Sequence, residues 1–329
     1  MKLSSRRGFL ASAAVAAALV ALPQASQAQG WTPEREIRVI CGYAAGTGAD
    51  VLCRFFAEKI KPFTSGKPVI VENKAGALTQ IAAEYVKNAK PDGYTLFITA
   101  GNSTMSSNPH LFKKINYDPL KDFTPVTTLN KLPFVFVVAP KSPISSMKEL
   151  EAHVRQKGAK TTYGYSNTFA LAATELYRTK LNFQATGVAY KATPELMPDL
   201  TNGELDFVIS DATFLLNQWR QGTVKALAVT TAERASVAPD LPSMKDVGIA
   251  DYDLSAWWGA WLPAGAPANI VNTYAEWLNK VVGSPEAKEF LNRSGADPWL
   301  GTPEILAKHT AEDVKRWGEI IKLAKIEPQ

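Results

Sequence analysis

The stretch IRVICGYAAGTGADVLCRFFAEKIK, residues 37 to 61, decides the fold. It opens with Ile37 to Cys41, an apolar and β-branched run that suits a buried strand. A loop of small residues, Gly42 to Ala49, follows, and apolar residues then recur at helical spacing from about Asp50 to Lys61. The same order returns downstream. Pro68 to Glu72 reads as a strand, Asn73 to Ala77 as a loop and Leu78 to Asn88 as a helix. Tyr94 to Thr99 is a strand leading into the loop Ala100 to Asn108, and Pro133 to Ala139 is an apolar run fit for a buried strand. Thr161 to Gly164 is a strand, with the loop Tyr165 to Thr168 and a helix to about Thr179. Leu205 to Ser210 and Lys225 to Thr230 are further strands. Strands alternating with helices predict α/β sheets with helices on their faces. After Pro263 the chain reads as nearly all helix, over Asn269 to Val282, Pro285 to Ser294 and Pro303 to Ala324. Thr302 is placed to cap the last of these, with Pro303 at its first position.

In open α/β sheets, ligands bind where strands end and helices begin. The first helical turn leaves N–H groups unpaired and carries partial positive charge, so an anion is stabilised there without Lys or Arg. The loop Tyr43-Ala44-Ala45-Gly46-Thr47-Gly48-Ala49-Asp50 has this makeup, and its Gly and Ala residues let a ligand approach the backbone. Tyr165-Ser166-Asn167-Thr168 adds hydroxyl and amide partners. Facing each other across a cleft, the two loops suit a small molecule with a carboxylate at one or both ends. Each loop, read singly, is equally an ordinary strand-to-helix connection. Asp50 either favours the start of its helix electrostatically or accepts from a ligand donor. Trp257-Trp258-x-x-Trp261 reads as a cleft or hinge wall, or as a core strand with its packing residues. Tyr190 follows a strand, and its hydroxyl is in position either to reach a ligand or to stay partly buried.

Several function classes fit poorly. Gly42 to Gly48 does not give G-x-G-x-x-G, and Ser65-Gly66-Lys67 lacks the rest of a phosphate loop. His110, His153 and His309 lie outside the small-residue loops, and no nucleophile elbow or metal-ligand spacing stands out. No enzyme, cofactor or metal is therefore expected. The net charge of +5 falls to about +2 once Lys2, Arg6 and Arg7 are set aside, and no cluster of Lys and Arg follows residue 30, so no nucleic-acid partner is expected. Those three basic residues open an export signal: an Ala-rich apolar run from Phe9 to Leu22, then Ser26-Gln27-Ala28, with cleavage expected after Ala28. The Arg6-Arg7 pair suits the twin-arginine route. Cys41 and Cys53 have the wrong spacing for a redox or zinc pair; they are expected as two buried thiols, the alternative being a disulfide, which an oxidising export compartment permits.

The residues also point to a family. Ile37 to Arg54 resembles the opening of the tripartite tricarboxylate transporter substrate-binding receptors, the Bug family. The likeness continues through VENKAG at 71–76, PDGYTL at 91–96 and YDPLKDFTPV at 117–126. It runs on through AYKATP at 189–194, NGELDF at 202–207, GTVKALAVTT at 222–231 and LPSMKDVG at 241–248, ending near Gly301 to Glu304. This resemblance implies a two-lobed periplasmic-binding-protein fold of the type II, Venus-flytrap kind, with a helical C-terminal segment packed on lobe 1. Lobe 1 would take residues 31–131 plus 254–329 and lobe 2 residues 132–253. It implies a monomer that hands a small organic acid to membrane permease subunits, the alternative being a periplasmic sensor feeding a signalling system. The family holds its ligands largely by loop backbone and water. Carried over, first-lobe contacts fall on Tyr43, Ala44, Ala45, Gly46, Thr47 and Asp50, and on Gly76, Ala77 and Leu78. Second-lobe contacts fall on Ser166, Asn167, Thr168, Tyr190 and Asp211.

The sequence also departs from the family pattern. Gly46-Thr47 stands where Gly-Gly is usual, Leu78-Thr79-Gln80 replaces a Gly-rich run, and bulky Tyr165 and Phe169 stand where small residues are common. These changes move the expected ligand toward an aromatic or dicarboxylic acid.

Overall fold

The computed structural model describes residues 30–249 and 251–328. The expected export signal and its cleavage site lie outside the described residues. The first half runs β1 (Ile37–Cys41), α1 (Gly48–Ile60), β2 (Val69–Asn73), α2 (Gln80–Lys87), β3 (Thr95–Ala100), α3 (Asn108–Leu111) and β4 (Phe123–Val138). Then come α4 (Met147–Lys157), β5 (Thr162–Tyr165), α5 (Thr168–Leu181), β6 (Thr186–Ala189), α6 (Met197–Asn202), β7 (Phe207–Asp211), α7 (Ala212–Arg220) and β8 (Lys225–Val229). The remainder is β9 (Ser255–Pro263), α8 (Ala268–Val282), α9 (Pro285–Arg293), β10 (Asp297–Pro298) and α10 (Pro303–Leu323).

Two sheets meet in one strand. The parallel strands β2, β1 and β3 continue through antiparallel β9 into the first part of β4. At Phe134 the partners of β4 change, and Phe134 to Val138 pair instead with β7 and β8. Parallel β7, β5 and β6 complete the second sheet. The chain returns to the first sheet where Leu254 N donates to Thr230 O at 3.0 Å, just before β9. Each sheet has its own apolar core. Ile37, Val39, Phe56 and Leu278 belong to the first, while Phe136, Tyr177, Phe207 and Tyr252 belong to the second. This is the two-lobed α/β architecture expected of a periplasmic binding protein.

Sequence expectations and structure part at identifiable places. The strand expected at Pro133 to Ala139 begins ten residues earlier, at Phe123. Pro125 and Pro133 disguise it, because Pro removes a ladder donor; the strand tolerates Pro125 beside a register shift and Pro133 where it leaves one sheet for the other. The loop expected at Ala100 to Asn108 is instead a π-helical turn, Gly101 to Ser107, that runs into α3. The helix expected from Leu78 starts at Gln80, because Ala77, Leu78 and Thr79 all hold positive φ. The Trp cluster splits across β9. Trp257 and Trp261 are buried, and Trp258 is half-buried against Tyr43, with ring centroids 5.4 Å apart. Cys41 and Cys53 are free, buried thiols. Helices α8 and α9 pack on the first core. The last helix spans further: Leu306 joins the packing behind β9, whereas Trp317, Ile320 and Ile321 enter the core of the second sheet.

Candidate functional site

The loop after β1 is built by a closed set of polar bonds. Thr47 caps α1: its Oγ1 accepts from Asp50 N at 3.3 Å and donates to Ala44 O at 2.8 Å. Asp50 Oδ2 accepts from Gly46 N at 2.8 Å and from Arg54 Nε at 2.9 Å, and its Oδ1 accepts from Asn73 Nδ2 at 2.7 Å. Asn73 Nδ2 also donates to Tyr43 O, and Arg54 Nη2 donates to Asn73 Oδ1, both at 2.9 Å. The Arg54 guanidinium, with Asn73 and Gly46 N adding hydrogen bonds, holds the buried Asp50 carboxyl down at about 2. Asp50 therefore acts as a clamp on residues 43 to 46, its oxygens already engaged by the protein. Ala44, Ala45, Gly46 and Thr47 are exposed at the rim.

The second loop is strained. Ala77, Leu78 and Thr79 hold φ of 44°, 48° and 74°, after Gly76 at 134°. A left-handed backbone costs roughly 1–2 kcal/mol per non-Gly residue, and such strain persists only where neighbours over-determine it. Here Asn108 Nδ2 donates to Leu78 O at 2.7 Å, and Thr79 Oγ1 pairs with buried Thr104 Oγ1 at 2.7 Å. The result presents Leu78 outward, 61% exposed.

The π-helical turn after β3 opens at a close approach that requires glycine. A Cβ on Gly101 would lie 2.0 Å from the Trp257 ring. Trp257 is held in turn by its backbone N donating to Asn102 Oδ1 at 3.3 Å and its Nε1 donating to Asp313 Oδ2 at 2.9 Å. Ser103 Oγ lies 3.4 Å from Tyr43 Oη, joining the first and third loops.

On the second sheet the expected residues sit at the ends of β5, β6 and β7. Asn167 caps α5, its Oδ1 accepting from Ala170 N at 2.8 Å. Ser166 Oγ is 2.9 Å from Thr193 Oγ1, which is 3.0 Å from Ser210 Oγ, beside Asp211. Asp211 caps α7 through Phe214 N. Tyr190 Oη donates to Asp199 of α6, so its hydroxyl is already engaged, and burial with that bond pushes it up to about 12.

Between these edges lies a cavity of about 280 Å³. Of the residues singled out in the sequence as ligand contacts, Tyr43, Leu78, Asn167 and Thr168 line it. Ala44, Ala45, Gly46, Thr47, Asp50, Gly76, Ala77, Ser166, Tyr190 and Asp211 stand outside its lining. Thr79 and Phe169, singled out in the sequence as departures from the family pattern, also line it; the sequence reading missed Asn102, Ser103, Ser107, Asn108 and Leu111 on one side and Trp317 on the other. The Asn, Ser and Pro content of residues 102 to 109 at a strand end was the available signal for Asn102, Ser103, Ser107 and Asn108. Nothing local marks Trp317, which arrives from the far end of the chain. A larger groove, about 450 Å³, runs between α5 and α10 away from the strand ends and carries charges of both signs. Among the described residues no group of three or more His, Cys, Asp or Glu converges as a metal would require.

Comparison with known proteins places this architecture. The chain is 26% identical over 292 residues to protein BugT of Bordetella pertussis, across 88% of this chain and 89% of that one. A Polaromonas TctC solute-binding protein superposes with a TM-score of 0.77 at 26% identity, covering 88% of this chain and 99% of its own. A Rhodopseudomonas palustris protein solved with adipate superposes at 0.71 and 28% identity, covering 90% and 99%. The profile of the tripartite tricarboxylate transporter family receptor, TctC, matches residues 53–326, and the chain belongs to that family of solute-binding receptors.

Proposed function

We propose that this protein is a periplasmic receptor that captures a small organic carboxylate in the cleft between its lobes and delivers it to the membrane permease of a tripartite tricarboxylate-type transporter. The carrying observation is the cavity where both sets of parallel strands end, lined from both sheets and by no charged side chain. Such strand ends offer backbone N–H groups and helix N-termini to an anion. The adipate held by the R. palustris relative supports a carboxylate as the ligand class. Of the two classes expected from the sequence, an aromatic acid suits this lining better, because no cation faces the cavity to meet a second carboxylate.

Lobe 1 comprises residues 31–131 and 254–329, and lobe 2 residues 132–253, hinged where β4 changes partner and where the chain enters β9. Tyr43, Leu78, Asn167 and Thr168 contact the ligand directly. Ala44, Ala45, Gly46, Thr47, Gly76, Ala77, Ser166, Tyr190 and Asp211 form the rims that meet on closure, and Asp50 positions the first rim. The protein acts as a monomer and binds without turnover; none of its three histidines lines the cavity. Export through the Arg6-Arg7 signal, with cleavage after Ala28, delivers it to the periplasm.

A thermal-shift screen of the chain from Gln29 onward tests this reading against aliphatic di- and tricarboxylates, aromatic acids, amino acids and sugars. A ligand at about 100 times its Kd stabilises the native state by about 2.7 kcal/mol. Stabilisation by carboxylates alone is expected; a response confined to sugars or amino acids would overturn it.

A further inference from the structure

The cavity walls divide by chemistry. Asn102, Ser103 and Ser107 of the π-helical turn supply amide and hydroxyl groups. Asn102 is only 8% exposed, its Oδ1 accepts from Trp257 N, and its Nδ2 donates to no atom among the described residues. Facing it from the second sheet is the start of α5. Asn167 caps Ala170 N there, leaving the N–H groups of Thr168 and Phe169 without helical partners. These are neutral donors sufficient for one carboxylate.

The rest of the wall is mainly apolar: Tyr43, Thr79 and Asn108 also line it, but their side chains are engaged by Ser103, Thr104 and Leu78 O respectively. Phe169 lies 5.4 Å from Trp317 between ring centroids, and Leu111 packs against the core cluster to which both belong. Leu78 adds a fourth apolar side chain, held over the cavity by left-handed backbone. None of the residues lining the cavity is Lys, Arg or His. An ionised carboxylate buried without a partner is strongly unfavourable, so this wall opposes a second acidic group.

We infer that the cavity selects a monocarboxylate with a compact apolar body, an aromatic or alicyclic acid, and that Phe169 and Trp317 are its specificity-determining residues. The inference rests on the carboxylate-receptor reading above and narrows it. The carboxylate meets Asn102 and the start of α5, and the body lies against Phe169, Trp317 and Leu78. The last helix of the chain, anchored by its own core contacts, thereby sets which acids fit.

Calorimetric titration with benzoate, cyclohexanecarboxylate, succinate and adipate tests this. The wild-type chain is expected to bind the two monocarboxylates at least tenfold more tightly than the two dicarboxylates. Trp317→Leu is expected to shrink that ratio at least tenfold. Because Trp317 is buried, Leu78→Arg at an exposed position gives a second test: it supplies a cation to the apolar wall and is expected to shift the ratio toward adipate by at least tenfold. Asn102→Asp, which sets a negative charge against the ligand, is expected to weaken every acid. A wild-type preference for succinate or adipate, or an unchanged ratio in folded Leu78→Arg, would overturn the inference while leaving the receptor reading intact. Binding of none of the four acids, nor of any in the wider screen, would overturn both.

Discussion

Thr230 Oγ1 lies 2.8 Å from the backbone N of Phe134, the residue at which β4 passes from one sheet to the other. The same hydroxyl donates to Leu254 O at 2.6 Å, just before the chain re-enters the first sheet, so one buried side chain ties both crossings. Thr230→Val keeps the shape and removes both bonds. Leaving buried backbone groups short of partners costs about 1–3 kcal/mol, and a fall of that size in the denaturant-derived unfolding free energy is expected.

Asp50 is predicted to serve loop geometry and stability together. Asp50→Ala frees Gly46 N, Arg54 and Asn73, and a loss of about 1–3 kcal/mol at neutral pH is expected from its charge-assisted hydrogen bonds. The Asp50 carboxyl is held near 2, below its value in the unfolded chain. Its contribution is therefore complete above the ordinary carboxylate range and fades as pH falls toward 2. Unfolding curves of parent and variant should differ at pH 7 and converge near pH 2.

Gly101→Ala is predicted to be costly despite its small size. The added Cβ would meet the Trp257 ring at 2.0 Å, and Trp257 is fixed by Asp313 and Asn102. Overpacking of this kind costs about 1–3 kcal/mol or more. The displaced Asn102 should also weaken ligand binding, read as a lower thermal midpoint together with a raised Kd.

His309 is predicted to make stability depend on pH. Its ring sits edge-on to Trp257 and Trp299, 4.7 Å from each, and Nε2 has no hydrogen-bond partner. Burial, reinforced by Lys131 and Arg316, lowers it to about 3. Between pH 3 and 6.5 the unfolded chain binds a proton that the folded chain refuses, so stability rises with pH across that window. Asp313, whose carboxyl is pushed up by burial, works in the opposite sense. His309→Phe keeps the aromatic packing, and the difference between its unfolding curves and the parent's should grow steadily from pH 7 to pH 4.

The sequence alone carried the alternation of strands and helices, because burial of one helix stripe and of whole parallel strands writes a period of 3.6 or an apolar run into local residues. It carried the small-residue loops after β1 and β5 for the same reason: a tight strand-to-helix turn restricts residue type on the spot. What it did not carry was set by contacts remote in sequence. Pro125 and Pro133 hid the first half of β4, since a strand that changes sheets follows no single alternation. Glycine opens the π-helical turn because Trp257, more than 150 positions later, occupies the space a Cβ would need. Trp317 reaches the cavity only because α10 lies across both cores. Asp50 read either as a charge favouring its helix start or as a ligand acceptor, and the bonds from Arg54 and Asn73 that engage it are visible only in the packed chain. Composition near a strand end locates an anion-binding edge; which acid fits depends on side chains brought from elsewhere, and only the packed chain decides that.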